Sequence, residues 1–293
     1  MSGPAQAGQH DGTIDNLVVR AQLVEDIGAS ERVNYSGKLR MLSQRIAAAS
    51  CIMTAGIEPE LSRDVLAAAA AEFEKIANGL RNGDADLNMI GAEERRKTLV
   101  ALDTLDAEWA PIRAAVDEML GGGDVAEQNA IVAERNLPLL KAAVKLVSEI
   151  SGEYSNPAEM MQSDAMVIDI SGRQRMLTQK MSKEACQIWS GTGSAETPDM
   201  LRKTMGLFDT SLNALDQGMP AAGIIPPPTE EIAAGLTALL EDWAGIKAVL
   251  EEVAAGAQLD GAGKAALFGD LNTALRDMNA VVGLYTSFAK HEQ

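Results

Sequence analysis

The chain has 293 residues, 46% hydrophobic but only 3% aromatic, and a formal net charge of -17. At roughly 100–200 residues per domain this length suggests two domains, and an Ala/Leu/Met/Glu-rich chain poor in strand-type clusters predicts an all-α fold. The charge excludes nucleic acid as a direct partner, since no basic field offsets phosphate repulsion. Two histidines near the chain ends, His10 and His291, and two cysteines, Cys51 and Cys186, exclude a histidine-rich metal site, a zinc cluster and a central Ser-His-Asp triad. No cofactor is expected.

The N-terminal stretch lacks a basic region followed by an apolar run, so no secretory leader is expected. No run approaches the ~18 apolar residues of a membrane span. The cytoplasm is the expected compartment, with both thiols reduced. Breakers then divide the chain into eight helical stretches, at about 13–56, 59–81, 92–120, 125–152, 158–190, 197–217, 229–255 and 261–290. Gly121-Gly122-Gly123 and Pro226-Pro227-Pro228 are among the breaks, and Thr197-Pro198 and Pro228-Thr229 read as helix starts. Four amphipathic helices with short links make an up-and-down bundle. Two tandem bundles are predicted, spanning 13–155 and 156–291, with Asn156-Pro157 as the joint.

The division is a duplication. Shifted by 135 residues, the run Ser36 to Arg45 falls on Ser171 to Lys180, Cys51 on Cys186, Phe73 on Phe208 and Gly83 on Gly218. After a one-residue slip Trp109 meets Trp243, and both are expected to anchor the third helix of their bundle. So long a period means two domain-sized copies, since solenoid repeats are ~20–50 residues.

Each helical residue turns about 100°. Leu39, Leu42, Ile46 and Met53 share one stripe, the face expected to bury into the helix's own bundle. Ser36, Arg40, Gln44, Ala47 and Cys51 lie on another strip, flanked by Gly37 and Ser43; Ser171, Arg175, Gln179, Ser182 and Cys186 repeat it beside Gly172. If the two small-residue strips face each other, Arg40 and Arg175 converge across an approximate two-fold axis. Two guanidiniums cannot relieve their repulsion by losing a proton. Glu31, Asp164 and Asp169 lie two or more turns away or off the strip, so a small planar oxyanion would fit the gap, held by the forked donors. Ser36, Ser171, Gln44 and Gln179 are placed to add hydrogen bonds. The acidic pairs Glu93-Glu94, Glu230-Glu231 and Glu251-Glu252 read as solvated faces, and the cysteines as small buried interface residues, with a redox switch as the alternative.

The frame Ser-Gly-x-x-Arg-Met-Leu-[Ser/Thr]-Gln-[Arg/Lys] resembles the signature of the PilJ-type sensor domain found ahead of certain chemotaxis receptors. It is also similar to the nitrate-binding P-box of nitrate/nitrite sensor kinases and to the soluble NIT-type nitrate sensor. The likeness is strongest over Ser171 to Glu184 and fades to a compatible helical pattern elsewhere. It implies four-helix bundles that pair and share one nitrate, contacted here by Arg40 and Arg175, with Gly37 and Gly172 allowing close approach. The membrane helices and output domain usual around such sensors are not visible in this chain. The expected function is a non-enzymatic sensor of nitrate, or nitrite, acting without membrane or nucleic acid as a monomeric pseudo-dimer or homodimer and signalling to a regulatory protein. The alternative is a ligand-free helical scaffold.

Overall fold

The computed structural model describes residues 12–154 and 162–291, with side chains over 31–154 and 166–289. Helices α1 (Gly12–Thr54), α2 (Pro59–Asn82), α3 (Arg96–Gly121) and α4 (Val125–Tyr154) form one bundle. Helices α5 (Gln162–Trp189), α6 (Thr197–Gln217), α7 (Glu230–Ala254) and α8 (Gly261–His291) form the second. The expected joint at Asn156-Pro157, His10 and the side chain of His291 lie outside the described residues.

The stripe predicted to face inward does so. Leu39, Leu42 and Ile46 are buried among Leu66, Phe73, Leu105, Trp109 and Leu146 in the first core. Met181 packs with Leu201, Phe208, Leu236, Trp243 and Met278 in the second. Phe73 stacks on Trp109 at 4.4 Å between ring centres, and Phe208 meets Trp243 at 4.5 Å, so the same aromatic anchor holds the third helix in each copy. The wet edges are duplicated too: the indole of Trp109 donates to Glu74 and that of Trp243 to Asp209.

The link after the second helix folds alike in both copies despite unlike sequence. A 3-10 turn at Ala85–Leu87 sits under an isolated bridge of Asp84 with Met89, and one at Pro220–Ala222 under a bridge of Met219 with Ile224. Gly83 and Gly218 start these links at φ 82° and 78°. A Cβ on either would lie within 3.0 Å of the returning chain, at Gly91 or Pro226, so glycine is required there for space as well as conformation.

Three local expectations are corrected. The helix predicted from 92 begins at Arg96, because Glu93 folds back to accept the backbone N–H groups of Glu94 and Arg95. Glu93 is therefore no solvated residue: its carboxylate is buried, 2.8 Å from the Tyr154 hydroxyl and 3.9 Å from Arg32. Burial and this carboxylate push the Tyr154 phenol up to about 12. Thr197 lies within the first turn of α6 and does not cap it, whereas Thr229 does cap α7, accepting from the N–H of Ile232.

Candidate functional site

Helices α1 and α5 pack side by side and join the bundles. Their cross-contacts pair residues 129 to 141 positions apart, bracketing the repeat length. The helices therefore run parallel and in register, the geometry of an approximate two-fold axis between them. The small-residue strips meet as expected: Ser36, Gly37, Gln44, Ala47, Ser171, Gly172, Gln179 and Ser182 are all buried.

Arg40 and Arg175 lie inside this seam, each 5% exposed. A Cβ built on Gly172 would sit 3.3 Å from Nη2 of Arg175 and 4.0 Å from Nη2 of Arg40, so both forks end beside one glycine. A Cβ on Gly37 would come 3.5 Å from Nη2 of Arg40. These glycines make room for the guanidiniums; the expected close approach of the facing backbone does not reach within 4 Å of either added Cβ. Burial pushes the Arg175 guanidinium down to about 10, and the Arg40 charge pushes the same way. It keeps its proton at neutral pH, so the repulsion persists. Burial also lowers Arg40, opposed by Asp169.

Asp169 corrects the expectation that no acid is close. From the second copy, its Oδ1 accepts from Nη2 of Arg40 at 2.9 Å, while Oδ2 takes the exposed Arg173 at 2.5 Å. The mirrored contact is uncharged. Asn34, which occupies in the first copy the place of Asp169, accepts from Nη2 of Arg175 at 3.4 Å, and Asn279 of α8 accepts from Nη1 at 3.1 Å. Of the two buried guanidiniums, Arg40 thus has a carboxylate partner and Arg175 only amide oxygens. Distance along a single helix could not reveal this, because Asp169 acts across the seam.

The polar neighbours divide. Ser36 and Ser171 donate to the carbonyls of Val33 and Ile168, so their hydroxyl protons are held by their own helices and are not free for a ligand. Gln44 is committed as well: its carbonyl accepts from Lys183 at 3.0 Å and its amide donates to Ser43. Gln179 accepts from Arg45 through its carbonyl. Its Nε2, together with Nε of Arg175 and Oγ of Ser182, is buried without a hydrogen-bond partner. Unpaired buried donors cost about 1–3 kcal/mol each, and an acceptor in the seam would relieve them. In the sequence Lys183 reads only as one of the positive charges of the second motif, with Ala48 at its place in the first copy and no cue to its burial. It is buried against Gln44 and Asn136, and burial pushes its ammonium down to about 8.

At the far end of the strips Cys51 and Cys186 form a disulfide, with Cα atoms 6.2 Å apart. This overturns the expectation of two reduced thiols. Equivalent positions in facing, parallel strips meet at the axis, which brings the two sulfurs together. Closing 135 residues restricts the unfolded chain by about 5 kcal/mol in the loop-entropy account. Disulfides mark oxidising compartments more than a cytosol. No helix among the described residues is long and apolar enough to cross a membrane, and none of their His, Cys, Asp and Glu side chains cluster as a metal site.

The family described as type IV pili methyl-accepting chemotaxis transducer N-terminal domain, PilJ, matches this chain twice, over residues 25–134 and 158–268. The chain is also similar to the methyl-accepting chemotaxis protein McpN of Pseudomonas aeruginosa, at 34% identity over 118 residues, or 39% of this chain. The match covers 22% of that relative's length. The two family matches fall on the two bundles, each including its seam helix and arginine, so the chain belongs to the PilJ family and carries its sensory signalling domain as a tandem pair.

Proposed function

We propose that this chain is a non-catalytic sensor that binds a small planar oxyanion, nitrate foremost and nitrite next, in the seam between α1 and α5. The observation that carries the reading is the pair of buried guanidiniums of Arg40 and Arg175, which meet beside Gly172 with one carboxylate on Arg40 and only amide oxygens on Arg175. The unpartnered donors on Arg175 and Gln179 supply what an oxyanion accepts. Anion binding would cancel the remaining repulsion and favour the state in which the bundles, divided near 155/156, are drawn together. A shift of the two seam helices then changes a surface seen by a signalling partner, as the chemotaxis name of its relative fits. The built-in pseudo-dimer needs no second chain to complete the site. In a cytoplasm, the compartment expected from the sequence, the disulfide would meet a reducing thiol pool.

Calorimetric titration with nitrate tests the proposal, run at constant ionic strength against chloride. Wild type should bind saturably, and Arg40→Ala and Arg175→Ala should each weaken binding by about ten- to a hundredfold, the worth of a charged hydrogen bond. No nitrate response in wild type, or full affinity in both variants, refutes it. The Asp169, Asn34 and Asn279 contacts favour a second reading, a ligand-free scaffold whose arginines are satisfied internally. A scaffold would ignore nitrate altogether.

A further inference from the structure

A half-open cavity lies at the other end of the seam. It encloses about 330 Å³ and is lined by Cys51, Thr54, Asn129, Trp189, Ser190 and Lys264. The two sulfurs of the bridge are unequal with respect to it. Cys51 borders the cavity and keeps 4% exposure, whereas Cys186 is fully enclosed and does not line it. The hydroxyl of Ser190 lies 3.9 Å from Sγ of Cys51. Lys264 holds its ammonium 5.9 Å from the ring centre of Trp189 and has no carboxylate partner among the described residues. In a chain of net charge -17 this is a cation beside one reachable disulfide sulfur.

We propose that Cys51 is a thiol-exchange site for small carboxylate-bearing thiols. Such a molecule enters the cavity with its carboxylate toward Lys264 and its thiolate toward Cys51. The thiolate attacks Sγ of Cys51, the bond to Cys186 breaks, and a new disulfide joins the incoming sulfur to Cys51. Cys186 leaves as thiolate and takes up from water the proton that the incoming thiol gave up. No electrons are gained or lost overall, since one disulfide replaces another. The covalent tie between α1 and α5 is opened, so the thiol pool and a ligand elsewhere in the seam act on the same pair of helices. The proposal does not rest on anion binding.

The full chain, purified without reductant, is treated with 3-mercaptopropionate or with cysteamine, near-isosteric thiols of opposite tail charge. Each rate is read from intact mass and normalised to that reagent's reaction with a small free disulfide. The adduct should map to Cys51. The ratio of the anionic to the cationic rate should fall about 25-fold in Lys264→Ala and in Lys264→Gln, about fivefold from the attraction lost by one reagent and about fivefold from the repulsion lost by the other at contact distance in water. Circular dichroism checks that both variants keep their helices. An adduct on Cys186, an unchanged ratio in both variants, no exchange with the folded chain, or two free thiols in the purified protein would each overturn the proposal.

Discussion

Changing Asp169 to Asn gives the second copy the residue that the first carries at Asn34, and removes the carboxylate that pairs with Arg40. The lost contact is the 2.9 Å bond from Nη2 of Arg40, whose side chain is 7% exposed against 34% for Asp169. Such a pair falls between a surface ion pair, worth about 0–1 kcal/mol, and a buried one, which costs about 3–5 kcal/mol to break. We expect a loss of about 2 kcal/mol without ligand, a fall in Tm of roughly 4–8 °C at 2–4 °C per kcal/mol. Nitrate should reverse the order. Nη2 of Arg40 then meets at most a neutral amide oxygen, as Arg175 does at Asn34, and no longer a charged competitor, so affinity should rise by about 1–2 kcal/mol, or roughly 5- to 30-fold. Thermal melts of Asp169→Asn and wild type over a nitrate series, with chloride holding ionic strength constant, read both effects. A variant that loses stability but gains no nitrate affinity would refute the competition between carboxylate and anion. A variant that melts like wild type would refute the ion pair's contribution.

Three other outcomes are expected. Gly172→Ala places a methyl group 3.3 Å from Nη2 of Arg175, so the fork must shift, and nitrate titration should show weaker binding, while Gly206→Ala on the open face of α6 should leave affinity alone and raise stability by the ~1 kcal/mol helix preference for alanine; equal nitrate affinity in both variants would contradict the role given to Gly172. For Lys183 the ordinary value of 10.5 falls to about 8 on folding, so between these pH values the unfolded chain binds more protons. Its contribution is present above 10.5 and lost as pH falls through 8; urea melts should show wild type gaining on Lys183→Met over that window, by up to about 3 kcal/mol, and parallel profiles would contradict it. Sulfate, with two charges, should bind poorly to wild type and better to Asp169→Asn, as competition against nitrate would reveal.

Duplicated features were legible in the sequence because each was written twice. The eight helices, the Phe73–Trp109 and Phe208–Trp243 anchors and the seam of Arg40 and Arg175 all follow from a period of 135 and the 100° turn of a helix. What escaped was written once. Lys183 takes the place that Ala48 holds in the first copy, Glu93 is buried through a link that folds back on itself, and Asp169 matters only because the other copy lies beside it. The disulfide was hidden for a different reason. The strips put Cys51 and Cys186 on facing sides, but whether two thiols oxidise depends on compartment, and the expected compartment argued against it.

Fusing two copies into one chain changes what such a seam can do. In a symmetric homodimer each residue near the axis occurs twice, so a carboxylate recruited to quiet the arginines would bring its twin. Two guanidiniums would then meet two carboxylates, leaving no charge for a ligand to balance. With neither carboxylate, both guanidiniums would stay buried and unpaired, a costly arrangement. Divergence at a single site, Asn34 in one copy and Asp169 in the other, gives the intermediate state. Arg40 is held by charge, Arg175 by neutral amide oxygens, and Arg173 meets Asp169 from the solvent side, where screening weakens it. Arg175 is thus left without an ion pair among the described residues, the charge that the proposed monovalent anion would balance.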